Sequence, residues 1–215
     1  MKQLNKLFFL IFGIIILFTA CNKTDLAELE REQERQDSIE QARIKKVIAE
    51  QAPLLKAYVE NPSNGWTTGR VLDTARGIWY EVLAQGQENS YTYKLNANGQ
   101  IYAPKIEAKY KGQLLNGTIF DETSDESANK KTFIFSLAQN IIPAWKIAFL
   151  PQKISYNGKS YPVNGLTSTG LKKGSKIRFV TPSPWAYDTK ASDKIPANSP
   201  LVFEIEVVDI SDDAS

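Results

Sequence analysis

No histidine occurs among the 215 residues, and cysteine occurs once, as Cys21. Ser-His and Cys-His nucleophile systems and the common His-containing zinc sites therefore have nothing to be built from. Composition leaves open a carboxylate-only metal site or a hydrolase working with a pair of carboxylates. Any chemistry here has to run without imidazole. The side chains that stand out are Asp121, directly after Phe120, and the large aromatics Phe133, Phe135, Trp145 and Phe203. Composition alone assigns such aromatics to an ordinary core, where their type dominates. It assigns an isolated carboxylate to solvent or to a turn cap.

Cys21 lies in a different context. Lys2 and Lys6 precede an almost unbroken apolar run over residues 7–18, and Thr19-Ala20 leads directly into the cysteine. That order is the charged start, apolar middle and small-residue cleavage zone of a secretory signal over residues 1–20. The run is shorter than the roughly 20 residues a spanning helix needs. Phe18-Thr19-Ala20-Cys21 resembles a bacterial lipobox, which implies acylation of Cys21 and anchoring of the mature chain to a membrane by lipid. More than one acyl chain is needed for stable anchoring. Asn22 in place of Asp points to the outer membrane of a bacterial envelope, the periplasmic side before the surface. With residues 1–20 removed, 24 basic and 24 acidic residues remain, so the mature chain is formally neutral. A nucleic-acid partner, which needs a concentrated basic surface, is not expected. A single cysteine also rules out an intrachain disulfide, so the fold must stand on its core.

Residues 21–60 read as a charged helical stalk or tether. The stretch 22–52 is dense in Glu, Gln, Arg and Lys and contains neither Gly nor Pro, which favours helix. Its apolar residues are too sparse before Ile39 to define a heptad, so a solvated helix, a dimerising coiled coil and a disordered tether all remain open. Pro53 is expected to start a second helical stretch, and the turn residues Asn61-Pro62-Ser63-Asn64-Gly65 to close it. The main domain is placed at 61–215. Strands are expected near 77–83, 90–95, 105–115, 118–121, 132–137, 176–181 and 201–210, from β-branched and aromatic alternation between turn signals. Residues 143–150 read as a short helix with Pro143 near its start. The sum is an α+β fold, an antiparallel sheet with one short helix. Between that helix and residue 176 lies an insertion at about 152–172. Within it, residues 154–156 and 159–161 flank Asn157-Gly158 as a two-residue hairpin. The insertion reads as sheet-edge decoration or as a contact platform.

Three blocks carry a family resemblance. Residues 108–121, AKYKGQLLNGTIFD, are similar to the Y-x-G-x-L-x-x-G-x-x-F-D stretch of FKBP-type prolyl isomerases. Phe133-Ile134-Phe135-Ser136-Leu137 followed by Ile141-Ile142-Pro143-Ala144-Trp145 resembles that family's F-x-F-x-L-G…V-I-P-G-W. Trp185-Ala186-Tyr187 and the stretch 195–204 resemble its third block. Order and approximate spacing hold over residues 68–210. The family's lipid-anchored members include some linked to gliding motility.

The resemblance implies a sheet half-wrapped around the short helix with an apolar pocket between them. Tyr110, Phe120, Asp121, Ile142, Trp145 and Tyr187 would form the catalytic pocket, with Phe133, Ile141, Ile195 and Phe203 contacting substrate. Trp145 would be the floor, and the Ile142 N–H and Tyr187 hydroxyl would donate to substrate carbonyls. The implied activity is cis-trans isomerisation of X–Pro bonds in polypeptide clients, without cofactor or metal. Weak binding of rapamycin-type macrolides is implied as well. A non-catalytic binding module of an envelope assembly is the alternative. Ala138, Ala144, Asp188 and Ala197 stand where the family has Gly, Gly, Gly and Pro, which alters the rim and spares the floor.

Overall fold

Apolar and polar residues alternate along most of the strands after residue 70, which pair into one main antiparallel sheet and a separate two-stranded one. The computed structural model describes residues 23–126 and 130–212. The expected signal segment and Cys21 lie outside these residues. The elements in order are α1 (Lys23–Glu60), β1 (Val71–Asp73), β2 (Ile78–Ala84), β3 (Pro104–Leu114), β4 (Ile119–Glu122), β5 (Phe133–Ser136), α2 (Pro143–Phe149), β6 (Lys153–Tyr156), β7 (Lys159–Pro162), β8 (Lys176–Thr181) and β9 (Leu201–Asp212). The fold is α+β, as the sequence predicts. Among the described residues no helix is long and apolar enough to cross a membrane.

Strand order in the main sheet is β1-β2-β8-β9-β3-β4, and β5 also pairs with β3. The 11 residues of β3 make this sharing possible: residues 105–108 pair with β5, and residues 111–113 pair with β4. Tyr110 falls between the two pairings. Along its other edge β3 runs antiparallel to β9 from Pro104↔Asp212 to Leu114↔Leu201.

Successive strand residues face opposite sides of a sheet, and here each side packs its own layer. Ile106, Ala108, Ile177, Phe179, Phe203 and Ile205 join Ala144, Trp145, Ala148 and Phe149 of α2 in the main core. Val180 and Val202, each next in sequence to a core residue, pack instead with Leu55, Val59 and Trp66. Leu55 and Val59 are spaced four apart on α1, so they share one helical face.

Three expectations are corrected. Helix α1 is continuous through Pro53, which sits in its interior and starts no second helix. The globular unit begins at Lys46, inside that helix, and not at the turn after residue 60. The physical reason is the burial of Leu55 and Val59, reinforced by the turn itself. Arg178 donates to the Gly65 carbonyl (2.6 Å), pairs with Glu81 (2.5 Å) and lies 4.6 Å from the Trp66 ring centroid. Residues 90–95 form no strand: Tyr91, Tyr93 and Leu95 are buried in alternation, but the backbone makes only a single bridge, Leu95↔Ile101.

Candidate active site

A cavity of about 350 Å³ opens between the sheet and α2, lined by Tyr110, Phe120, Asp121, Lys130, Phe133, Asn140, Ile141, Ile142, Trp145, Tyr187 and Phe203. Each wall comes from a different element. Tyr110 is on β3, Phe120 and Asp121 on β4, Phe133 on β5, Phe203 on β9 and Trp145 on α2. Ile141 and Ile142 lead into α2, whose first residue is Pro143, a position where the missing N–H costs nothing. Tyr187 lies in the β8–β9 loop. Nine of the ten residues named from the resemblance line the cavity. The tenth, Ile195, is buried in the main core and does not line it.

Trp145 is 5% exposed and is surrounded edge-on by rings. The centroids of Tyr110, Phe135 and Phe203 lie 5.1, 5.4 and 5.8 Å away, at interplanar angles of 77°, 61° and 89°. Such T-shaped contacts bring positive ring edges to negative faces. Phe120 packs edge-on against Phe203 at 5.8 Å. Gly112 makes this approach possible: a Cβ there would stand 2.5 Å from the Phe120 ring. Phe135, on the same strand face as Phe133 and stacked at 5.2 Å, belongs to the core.

The polar part of the rim is a three-residue network. The Tyr110 hydroxyl donates to Asp121 (2.5 Å), Lys130 donates to the other carboxylate oxygen, and the Lys130 ammonium lies 5.3 Å from the Tyr110 ring centroid. Burial and the Asp121 hydrogen bond push the Tyr110 hydroxyl up to about 12. Burial works against the Asp121 charge, but the hydrogen bonds from Lys130 and Tyr110 outweigh it and hold the carboxyl below its ordinary value. Neither group is poised to exchange a proton near neutrality. Asp121 is a fixed acceptor, which suits a positioning role and not that of a general base.

Donors on the lining remain uncommitted, the buried Trp145 Nε1–H among them. Among the described residues, neither the Ile142 N–H nor the Tyr187 hydroxyl has a hydrogen-bond partner. Tyr187 is 41% exposed, and burial followed by the Asp121 charge raises its hydroxyl above the ordinary value. Among the same residues no group of three or more Cys, Asp or Glu side chains is gathered to hold a metal ion.

The floor is held from below by the insertion. β6 and β7 pair only with each other, across Asn157 (φ 50°) and Gly158 (φ 72°), the two-residue turn expected there. The segment that follows turns back under α2. Leu166 N–H donates to the Ile147 carbonyl (3.0 Å) and Leu171 N–H to the Phe149 carbonyl (2.9 Å). These are helix-end acceptors that would otherwise lack partners. Leu166 and Leu171 are 2% and 1% exposed. The insertion is thus a buttress of α2 more than a decoration of the sheet edge.

Lys130 and Asn140 are the lining residues that sequence reasoning missed. Both sit in loops, outside any strand or helix period.

The domain is of the α+β class, an antiparallel sheet packed on one short helix with an aromatic-floored cavity at their junction. Residues 102–208 match the family model described as FKBP-type peptidyl-prolyl cis-trans isomerase, and the chain belongs to that family. The FKBP-type peptidyl-prolyl cis-trans isomerase FkpA of Buchnera aphidicola subsp. Acyrthosiphon pisum is 34% identical over 106 residues, covering 49% of this chain and 34% of that one. FkpA of Escherichia coli K12 is 27% identical over 193 residues, 88% of this chain and 59% of that one. The chain thus spans less than two thirds of the length of these curated relatives. The crystal structure of Escherichia coli FkpA aligns with a TM-score of 0.51 at 24% identity, over 94% of this chain and 81% of that one, a likeness of fold.

Proposed function

We propose that this chain is a peptidyl-prolyl cis-trans isomerase acting on proline-containing segments of exported or envelope proteins, held at a bacterial membrane by lipid on Cys21. The observation that carries the reading is the cavity itself. An aromatic floor and walls surround it, and donors that include the Ile142 N–H and the Tyr187 hydroxyl are left unspent on its lining. Rotation about an X–Pro amide meets a barrier of roughly 18–20 kcal/mol because resonance must be broken. The twisted amide is less polar than the planar one, so apolar walls bind it better than the ground state. Uncommitted donors then hold the flanking peptide carbonyls while the bond turns. No covalent intermediate and no proton transfer to protein is needed, which suits a chain with no histidine. The same cavity would take a rapamycin-type macrolide weakly.

Catalytic amounts of the full chain, added to a protein whose refolding is limited by an X–Pro bond, should raise the slow rate in proportion to chain concentration. No acceleration would leave a binding module in an envelope assembly as the better account. Anchoring is a separate matter. Palmitate fed to cells should label the wild type and not Cys21→Ser, and equal labelling of both would dismiss the anchor.

A further inference from the structure

Helix α1 carries one buried polar side chain in the globular unit, Gln51, which is 8% exposed. Its amide is fully engaged. Nε2 donates to the Ser183 hydroxyl (3.0 Å) and to the Asn198 carbonyl (2.9 Å), while Oε1 accepts from the Ser183 N–H (2.8 Å). Ser183 and Asn198 stand at the two ends of the β8–β9 loop that carries Tyr187. The loop closes on itself between them. Asp188 N–H donates to the Ser183 carbonyl (2.9 Å), and Asn198 N–H donates to the Asp188 carbonyl (2.6 Å). Gln51, Ser183, Asp188 and Asn198 therefore form a ring of hydrogen bonds, and the residue it clamps follows Tyr187 directly. Asp188 and Asn198 both hold left-handed backbones, φ 51° and 58°. Asp and Asn tolerate such a conformation better than other non-glycine residues, and here the ring of hydrogen bonds holds it on both sides.

We propose that Gln51 is a positioning residue for Tyr187: helix α1, through this amide, fixes the loop base and so aims the Tyr187 hydroxyl at the cavity. The inference rests on the isomerase reading of the site. The geometry supports it because a buried amide making three hydrogen bonds holds position as well as packing. An apolar residue there would leave the buried Ser183 N–H without a partner and release the Asn198 carbonyl from the helix.

The test is a double-mutant cycle in the full chain, Gln51→Met with Tyr187→Phe. Methionine keeps the length of the side chain and removes both polar groups. In the native background Gln51→Met should lower kcat/KM on a short proline peptide by roughly twofold to twelvefold, the range of one lost hydrogen bond. In the Tyr187→Phe background it should cost less than about twofold, since the hydroxyl it aims is gone. Equal losses in both backgrounds, or no loss from a folded Gln51→Met, would overturn the proposal. If Gln51→Met does not fold, Gln51→Glu serves. It keeps the acceptor for Ser183 and breaks the ring at Asn198, with the same expected coupling. Amide exchange at Asp188 separates this inference from the activity it rests on. Even were the wild type inactive, Asp188 protection should fall in the variant while that of β3 and β9 holds. Unchanged protection at Asp188 would sink the inference by itself.

Discussion

Asp121 is a carboxylate on the cavity lining with both its oxygens already engaged. Its folded-state pKa lies below the ordinary value of 3.8, because bonds from Lys130 and Tyr110 overcome the burial that opposes its charge. A depressed carboxylate stabilises the fold above its unfolded pKa and gives up that contribution as pH falls through the lower, folded one. Isomerase activity should therefore be flat across neutral pH and decline only in acid. In Lys130→Met the Asp121 carboxyl should titrate at higher pH than in wild type, followed by its carbon NMR shift. An unmoved midpoint would mean that Lys130 does not hold it. Tyr110 and Asp121 were legible through the motif that ends at Asp121. Lys130 was not, because it lies in a loop where no period ties a side chain to a face. Asp188 shows the converse. The family's glycine at that position answers to a left-handed backbone, and Asp is among the few other residues that tolerate one.

Of the three glycines in the insertion at about 152–172, Gly158 and Gly165 each follow an asparagine and look equivalent in sequence, yet they differ in structure. Gly158 sits at the hairpin turn with φ 72° and nothing within 4 Å of where a Cβ would be. Gly158→Val should cost about 1–2 kcal/mol, the penalty of a left-handed backbone, and leave catalysis unchanged. A Cβ on Gly165 would stand 1.7 Å from the Leu150 carbonyl oxygen, just past the end of α2. Gly165→Ala should therefore displace the segment that caps α2, lowering both the midpoint of thermal unfolding and the activity that depends on Trp145. Equal activity in the two variants would contradict the buttress role. The hairpin was legible because turn chemistry is local: Asn-Gly between alternating residues fixes it without reference to the rest of the chain. The capping of α2 was not, since it depends on backbone amides meeting carbonyls some twenty residues away, and no residue type marks them.

Across the molecule, the second half of α1 is part of what the sheet folds against. Leu55 and Val59 are each 1% exposed, and burying such a side chain contributes about 1.5–3 kcal/mol. A fragment of residues 61–215 should accordingly be less stable than one of residues 46–215 by about 3–6 kcal/mol in urea unfolding. Matching stabilities would return the boundary to the turn at Asn61. The sequence misleads here because the amphipathic stretch 44–58 follows a charged, solvated-looking run with no break, and the turn Asn61-Pro62-Ser63-Asn64-Gly65 after it reads as a linker. Contact with Val180 and Val202 and the hydrogen bonds of Gln51 to Ser183 and Asn198 distinguish the docked end. The strands, by contrast, were legible nearly in full, since alternation depends only on having a buried and an exposed face. The central claim is that an apolar cavity over Trp145 turns the X–Pro bond. The most direct measurement is exchange spectroscopy of a short proline peptide, whose cis and trans resonances interconvert too slowly to exchange alone. The full chain should produce exchange cross-peaks. Tyr187→Phe should slow that exchange roughly twofold to twelvefold, and Phe120→Ala, which removes a wall, should slow it further while circular dichroism stays native. Cross-peaks of wild-type intensity with a folded Phe120→Ala would contradict the account.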